Sequence, residues 1–148
     1  MYGWCGKIAR INLSDKTWRF ETADPEILKK FIGGRGLAGY YLGKKITLNW
    51  DDPDIPLLIF TGPLVNTRSP TSGRMSMMSR SPLTGTVGDS SVGGSFGTEL
   101  KKAGFDGIII TGKSHTLSGI EVFNASIRIT DARYLAARQT GYVHSLLK

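Results

Sequence analysis

Residues 93–111 read GGSFGTELKKAGFDGIIIT, and three kinds of local structure follow one another in this stretch. The pair Gly93-Gly94 predicts a turn, because glycine adopts backbone angles that other residues avoid. Residues 96–104 have helical spacing, with the polar Glu99 and Lys102 in surface positions. The apolar run 107–111 predicts a short buried strand. A glycine-rich loop, a helix and a buried strand are therefore expected in succession.

Upstream of this stretch, strand signals alternate with helix signals. Asp24 can cap a helix that begins at Pro25, and Gly33-Gly34 would stop that helix after residue 31 or 32. A second helix is predicted over residues 36–45, where apolar side chains recur at helical spacing. The same reasoning predicts strands over residues 7–13, 18–21, 57–60, 75–78 and 85–87.

Downstream, residues 120–123 and 127–129 predict a β-hairpin about Asn124-Ala125, which is a weaker turn signal than Asn-Gly. The tail over residues 131–148 is weakly patterned and is expected to be either helical or frayed. The predicted helices are short and the strands mostly follow one another. The sequence therefore favours an α+β domain dominated by antiparallel or mixed sheet over a doubly wound βαβ array.

Composition restricts the class of protein. The 148 residues fit one domain, and the 19 glycines indicate many special turns and close backbone contacts. The formal net charge is +7, but the basic residues are scattered and form no run of five like charges. We expect no nucleic-acid partner and keep nucleic-acid binding as a minor alternative, since small anions, acidic partners or solubility also explain the charge.

The single cysteine, Cys5, excludes an internal disulfide framework and a CxxC metal clip. No apolar stretch approaches the roughly 18 residues of a transmembrane helix, and no apolar signal core follows Met1. We expect a cytoplasmic protein without a membrane partner.

Few side chains suggest direct catalysis. His115 and His144 lie in hydrophilic segments and are expected at the surface. No carboxylates are spaced on one face in a way that marks an acid/base pair. We therefore assign no catalytic residue and expect a bound cofactor to supply any chemistry.

Glycine stands beside arginine or at a helix start in three segments. Gly33-Gly34-Arg35-Gly36 and residues 90–97 each precede a predicted helix, and residues 71–74, ending in Arg74, precede a predicted strand. Glycine lets backbone N–H groups approach an anion, and arginine adds a forked cationic donor. Each segment by itself is weak evidence for a ligand contact, because glycine-rich turns usually only redirect the chain.

The order and spacing of these segments resemble the N-terminal domain of the aldehyde:ferredoxin oxidoreductases. The resemblance extends over residues 3–133 and leaves residues 134–148 as an unassigned tail. It rests on six motifs: GGRGLA at 33–38, FTGPL at 60–64, TSGR at 71–74, SRSPLTG at 79–85, GGSFGTELKKAGFD at 93–106 and IIITGK at 108–113.

This resemblance implies a fold of two β-sheets that form a base for a tungsten bis-pterin cofactor. It places Arg74 at a pterin-contacting arginine, and Gly93 with Gly94 where the backbone approaches the cofactor. Ser91 occupies a position usually filled by Asn, next to a magnesium ion that bridges the pterin phosphates. A contact through the backbone carbonyl would tolerate serine, whereas a side-chain contact would not. Arg35 is a further candidate contact, although its glycine neighbours could equally serve helix packing.

The cysteines that bind an iron–sulfur cluster in this family, and the acid/base residues beside its metal, have no counterpart in this sequence. Cys5 cannot hold a four-iron cluster alone, because such a cluster usually takes four cysteine thiolates. We expect the chain to act with further domains or a partner subunit that hold the cluster and pass electrons to ferredoxin. Self-association is also expected where an apolar face is left exposed. The alternative is a cofactor-free scaffold or interaction module. The aldehyde, and the choice of tungsten or molybdenum, are not predicted.

Overall fold

A computed structural model describes residues 3–147, except for the side chain of Lys44. The helices of this region are α1 (Pro25–Phe31), α2 (Gly34–Leu42), α3 (Phe96–Lys102) and α4 (Thr140–Leu146), with 3₁₀ turns at Gly43–Thr47 and Arg133–Leu135. The strands are β1 (Lys7–Asn12), β2 (Thr17–Thr22), β3 (Leu57–Thr61), β4 (Met75–Arg80), β5 (Val87–Val92), β6 (Gly107–Thr111), β7 (Ser118–Phe123) and β8 (Ser126–Asp131).

Two sheets result, which confirms the predicted α+β fold. The larger is six-stranded with the order β2-β1-β6-β3-β4-β5, and the smaller is the hairpin β7-β8. Strands β1 and β6 pair in parallel, with Ile8 opposite Gly107, while the other pairs of the large sheet are antiparallel. The sheet is therefore mixed, and strand β5 forms one of its edges.

Each face of the large sheet has its own apolar cluster. On one face Leu37 and Leu42 of α2 pack with Leu58, Phe60 and Met78 of β3 and β4. Because side chains alternate along a strand, their neighbours point to the other face. There, Ile59, Met75 and Ile108 pack with α3 and with Ile127 of the small sheet. Helix α2 thus covers one face of the sheet, and α3 with the β7-β8 hairpin covers the other.

Most of the predicted elements form where the sequence placed them. Asp24 caps α1 by accepting a hydrogen bond from the Glu26 N–H at 2.9 Å. The hairpin turns at Asn124 and Ala125, which both have positive φ, as a tight hairpin turn requires. Helix α2 begins two residues before the predicted start and gives way to a 3₁₀ turn at Gly43.

The prediction for β5 was wrong. The sequence analysis placed a strand at residues 85–87, but the strand is Val87–Val92. Its segment, VGDSSV, is rich in small polar residues of low strand propensity, so it does not read as a strand. It forms because β4 pairs with it along its whole length. Met75 lies opposite Val92 at one end, and Arg80 lies opposite Val87 at the other.

The tail contains a 3₁₀ turn and the short helix α4, and Lys148 lies outside the described residues. No helix within residues 3–147 is long and apolar enough to cross a membrane.

Candidate functional site

The three glycine- and arginine-rich segments meet at one end of the large sheet. Cross-strand pairing places Thr61, at the end of β3, beside Met75 at the start of β4, and Met75 beside Val92 at the end of β5. The segment before β4 and the segment after β5 are therefore neighbours. The start of α2 adjoins them, since a Cβ on Gly34 would lie 3.2 Å from Oγ of Ser76.

Arg74 and Ser91 approach each other at this end of the sheet. Ser91 of β5 lies directly opposite Ser76 of β4, and directly opposite residues project from the same face. Nη1 of Arg74 lies 3.5 Å from Oγ of Ser91, at the outer limit of a hydrogen bond. Both groups are exposed and remain available to a ligand.

Arg35 reaches the same face from the first turn of α2 and forms an ion pair with Asp89 of β5. Asp89 precedes Ser91 by two residues, so alternation along the strand places both side chains on one face. The Arg35 side chain is 64% exposed and that of Asp89 is 34% exposed, so water screens this pair. We call the surface formed by Arg35, Arg74, Asp89, Ser91 and Gly93-Gly94 the Gly/Arg surface.

The glycines of these segments have two different roles. A Cβ on Gly33 would lie 2.6 Å from the Thr61 carbonyl oxygen, and one on Gly36 would lie 2.2 Å from that of Phe31. These two glycines permit close backbone packing around the start of α2. A Cβ on Gly93 or Gly94 would meet nothing within 4 Å. Gly94 has a φ of +95°, which other residues rarely adopt. Because no atom lies near its Cβ position, its backbone is open at the Gly/Arg surface.

The backbone at Gly93 and Gly94 also has free donors. Strand pairing between β4 and β5 ends at Val92, and no backbone group within residues 3–147 accepts a hydrogen bond from the N–H of either glycine. Two arginines, the Ser91 hydroxyl and these N–H groups together suit an oxyanion. One carboxylate, Asp89, opposes that role.

The described residues bring no group of three or more His, Cys, Asp or Glu side chains together as a metal site. Both His115 and His144 are exposed, as predicted. The Gly/Arg surface offers two arginines, a hydroxyl and backbone N–H groups for binding.

A buried ion pair lies behind this surface, and sequence analysis missed it. Nζ of Lys101 in α3 lies 2.5 Å from Oδ1 of Asp106, and their side chains are 4% and 1% exposed. The Asp106 carboxylate also accepts the N–H groups of Cys5 at 3.0 Å and Gly6 at 2.7 Å. Through these hydrogen bonds the pair holds the N-terminal segment against the connection between α3 and β6. The only sequence signal was two charged residues in a motif that otherwise predicts a helix and a buried strand.

Cys5 is affected by the same environment. Desolvation, followed by the nearby Asp106 carboxylate, raises the pKa of the Cys5 thiol above its ordinary value. A raised pKa keeps the thiol protonated near neutral pH, and the thiol is the less nucleophilic form. Cys5 is therefore assigned no chemical role.

Comparison with known proteins identifies the family to which the chain belongs. The family model described as "Aldehyde ferredoxin oxidoreductase, N-terminal domain" matches residues 8–148, including the tail that the sequence analysis left unassigned. The chain belongs to the aldehyde ferredoxin oxidoreductase family, as the sequence motifs indicated.

Several curated relatives agree with this assignment. The chain is 39% identical over 150 residues to a tungsten-containing aldehyde ferredoxin oxidoreductase of Pyrococcus horikoshii, covering 100% of this chain and 25% of that protein. It is 37% identical over 137 residues to the WOR-like subunit of an aliphatic sulfonate oxidoreductase of Pyrococcus furiosus, covering 89% of this chain and 22% of that subunit. The chain thus spans about a quarter of the length of the relatives it matches.

A solved structure has the same fold. The active-site complex BamBC of benzoyl coenzyme A reductase, solved with 1,5-dienoyl-CoA, superposes with a TM-score of 0.91 at 26% sequence identity. The similarity covers 99% of this chain and 23% of that chain. The arrangement of two sheets with short helices is therefore shared with a larger relative.

Proposed function

We propose that this chain forms part of the binding surface for a tungsten or molybdenum bis-pterin cofactor in an oxidoreductase that oxidises aldehydes. The supporting observation is the convergence of Arg74, Ser91 and Gly93 on one open end of the sheet. We infer the tungsten and the aldehyde substrate from the relatives, which are tungsten-containing aldehyde ferredoxin oxidoreductases. We infer the binding surface from the residues of this chain.

The groups at the Gly/Arg surface fit the phosphates of a pterin cofactor. Arg74 and Arg35 provide planar, forked donors that match phosphate oxygens. The unpaired N–H groups of Gly93 and Gly94 provide short-range donors on an open backbone, where a ligand can approach closely. When bound, the metal supplies the redox chemistry, and the residues of this chain hold and orient the cofactor.

Ser91 is our candidate for a contact with magnesium at the cofactor phosphates. Magnesium prefers oxygen ligands and retains several waters, so beside bound phosphates it needs few protein oxygens. Ser91 offers a carbonyl and a hydroxyl oxygen, and its hydroxyl lies beside Arg74. We favour the carbonyl, because a serine side chain is shorter than the asparagine that the family usually has at this position.

Further domains or a partner subunit would complete the enzyme in this proposal. The chain corresponds to 25% of the P. horikoshii relative, so the larger part of such a protein lies elsewhere. Large apolar side chains are available for contact, including Leu83 at 92% and Phe123 at 74% exposure. An iron–sulfur cluster held outside residues 1–148 would pass electrons to ferredoxin, and we place the assembly in the cytoplasm.

A cofactor-free scaffold is the second candidate function. The Asp89 carboxylate favours it, because it already neutralises Arg35 at the surface where phosphate would bind. Ser91 also lacks the side-chain amide of the asparagine that the family usually has at this position.

Metal and pterin analysis separates the two candidates. The chain is produced in a host supplied with tungstate and molybdate and purified with any proteins that accompany it. Metals are measured by inductively coupled plasma mass spectrometry, and pterin by fluorescence after oxidation. The proposal predicts near-stoichiometric tungsten or molybdenum together with pterin. Finding neither metal nor pterin would favour the cofactor-free scaffold.

A further inference from the structure

A cationic cleft lies on the α2 face of the large sheet, at the end opposite to the Gly/Arg surface. It has a volume of about 370 Å³ and opens between the β1-β2 hairpin and the segment that leads into β3. We call it the hairpin cleft. Its lining residues are Arg10, Ile11, Asn12, Thr17, Trp18, Arg19, Lys45, Asp54, Ile109 and Thr111. The length of β3, about 13 Å at 3.3 Å per residue, separates it from the Gly/Arg surface.

Two arginines stand directly opposite each other at this cleft. Arg10 of β1 pairs in register with Arg19 of β2, so their side chains project from the same face. Like charges directly across an antiparallel pair destabilise the sheet. Glu21 relieves only one of them, since its carboxylate accepts two hydrogen bonds from Arg10 at 2.5 and 3.2 Å.

Arg19 and Lys45 are left without an acidic partner. No carboxylate within residues 3–147 forms an ion pair with either side chain. Nζ of Lys45 instead donates to the carbonyl oxygen of Asp54 at 3.2 Å. Asp54 is the one acidic residue in the lining, against the three cationic residues Arg10, Arg19 and Lys45.

A second, smaller cavity adjoins the hairpin cleft. It has a volume of about 90 Å³ and shares Arg10, Lys45, Ile109 and Thr111 with the cleft, and Tyr41 and Pro56 complete its lining. The Arg10 guanidinium lies 5.6 Å from the centre of the Tyr41 ring. Desolvation, followed by the Glu21 carboxylate, raises the pKa of Tyr41 to about 12. Charge–charge attraction is stronger beside partly desolvated side chains such as Tyr41 than in open solvent.

We propose that the hairpin cleft binds the oxyanion group, carboxylate or phosphate, of a small molecule between Arg19 and Lys45. An anion there would relieve the Arg10–Arg19 repulsion and neutralise the two cations that lack acidic partners. Thr17 and Thr111 also line the cleft, and the Thr111 hydroxyl donates to the carbonyl oxygen of Ile11 at 3.4 Å. The volume falls within the range of about 300–1,000 Å³ typical of small-molecule pockets. This site is independent of the proposed cofactor surface.

Nuclear magnetic resonance can locate the binding. The ¹⁵N-labelled 148-residue chain is titrated with inorganic pyrophosphate and, separately, with succinate, and amide shifts are followed in ¹H–¹⁵N spectra. We expect saturable shifts at residues 17–19 and 109–111 with at least one probe. The stronger probe identifies the oxyanion class. No saturable shift at these residues with either probe would overturn the proposal.

Two variants distinguish this site from the Gly/Arg surface. Arg19→Gln should weaken binding at the cleft by about tenfold, the loss expected for one charge-assisted contact. Without ligand it should melt no lower than the wild type, because it removes a like-charge pair. Arg74→Gln should leave the cleft shifts unchanged and affect only residues near Gly93. If Arg74→Gln abolished the shifts at residues 17–19 and Arg19→Gln did not, the cleft assignment would be wrong.

Discussion

Nζ of Lys101 lies 2.5 Å from Oδ1 of Asp106 in the interior of the domain, where the two side chains are 4% and 1% exposed. The same lysine donates to the carbonyl oxygen of Gly3 at 2.7 Å. The main chain of Asp106 accepts the Thr61 hydroxyl at 2.9 Å. One buried pair therefore joins the N-terminal segment, α3 and the end of β3 behind the Gly/Arg surface.

Lys101→Met should strongly destabilise the protein. It leaves the Asp106 carboxylate buried without its cation, and breaking a buried pair in this way costs about 3–5 kcal/mol. Lys102→Met is the matched control, because Lys102 forms an exposed pair with Glu99 at 2.8 Å. Exposed pairs of this kind contribute about 0.3–0.5 kcal/mol. Urea unfolding measures both, and equal losses would contradict the structural role given to Lys101.

Gly36→Ala should destabilise α2 even though alanine favours helices. The new Cβ would lie 2.2 Å from the carbonyl oxygen of Phe31, so α1 and α2 would have to move apart. Overpacking of this kind costs about 1–3 kcal/mol. Gly39→Ala in the same helix meets nothing within 4 Å and should stabilise it by up to about 1 kcal/mol. Thermal melting compares the two, and stabilisation by Gly36→Ala would show that the packing is not tight.

Asp89→Asn should strengthen anion binding at the Gly/Arg surface, because it frees Arg35 from its ion pair. We expect about a threefold gain in pyrophosphate affinity, since an exposed pair is worth up to about 1 kcal/mol. Asp51→Asn, an exposed charge change elsewhere, is the control. In an Arg35→Gln background the gain from Asp89→Asn should be smaller, because only the direct repulsion between Asp89 and the anion is then removed. A gain of the same size in that background would mean that Asp89 does not act through Arg35.

Tyr41 should make the fold sensitive to alkaline pH. Its pKa is about 12, compared with an ordinary value of 10.0, so the folded state holds this proton more tightly than the unfolded state. The resulting stability is complete below pH 10 and is lost as the pH rises towards 12. Absorbance at the tyrosinate band should show one late-titrating tyrosine that is missing in Tyr41→Phe. Titration of all tyrosines together near their ordinary value would contradict this prediction.

The sequence predicts most elements of the fold, because their signals are local. Apolar runs and turn residues locate β3 and β6, and Asp24-Pro25 starts α1. The parallel pairing of β1 with β6 joins residues about 100 positions apart and has no local signature. Strand β5 was misplaced for a related reason: its small polar residues take strand form only because β4 pairs with them.

The same limit explains what was missed at the candidate sites. Motif resemblance selected Arg74, Ser91 and Gly93, and the structure brings these residues together. Asp89 was not selected, because placing it beside Ser91 requires the correct extent of β5. The Arg10–Arg19 pair of the hairpin cleft likewise depends on the register of β1 and β2, which alternation predicts only imperfectly.

The cofactor content of an Arg74→Gln variant tests the central proposal most directly. Wild type, Arg74→Gln and the control Arg128→Gln are produced with tungstate and molybdate, and metal and oxidised pterin are measured per chain. Arg128 is an exposed arginine on β8, and its side chain is 79% accessible. We predict near-stoichiometric metal and pterin in the wild type and in Arg128→Gln, and a clear loss in Arg74→Gln. Equal metal and pterin in all three proteins, or neither in the wild type, would contradict the assignment of the Gly/Arg surface as the cofactor site.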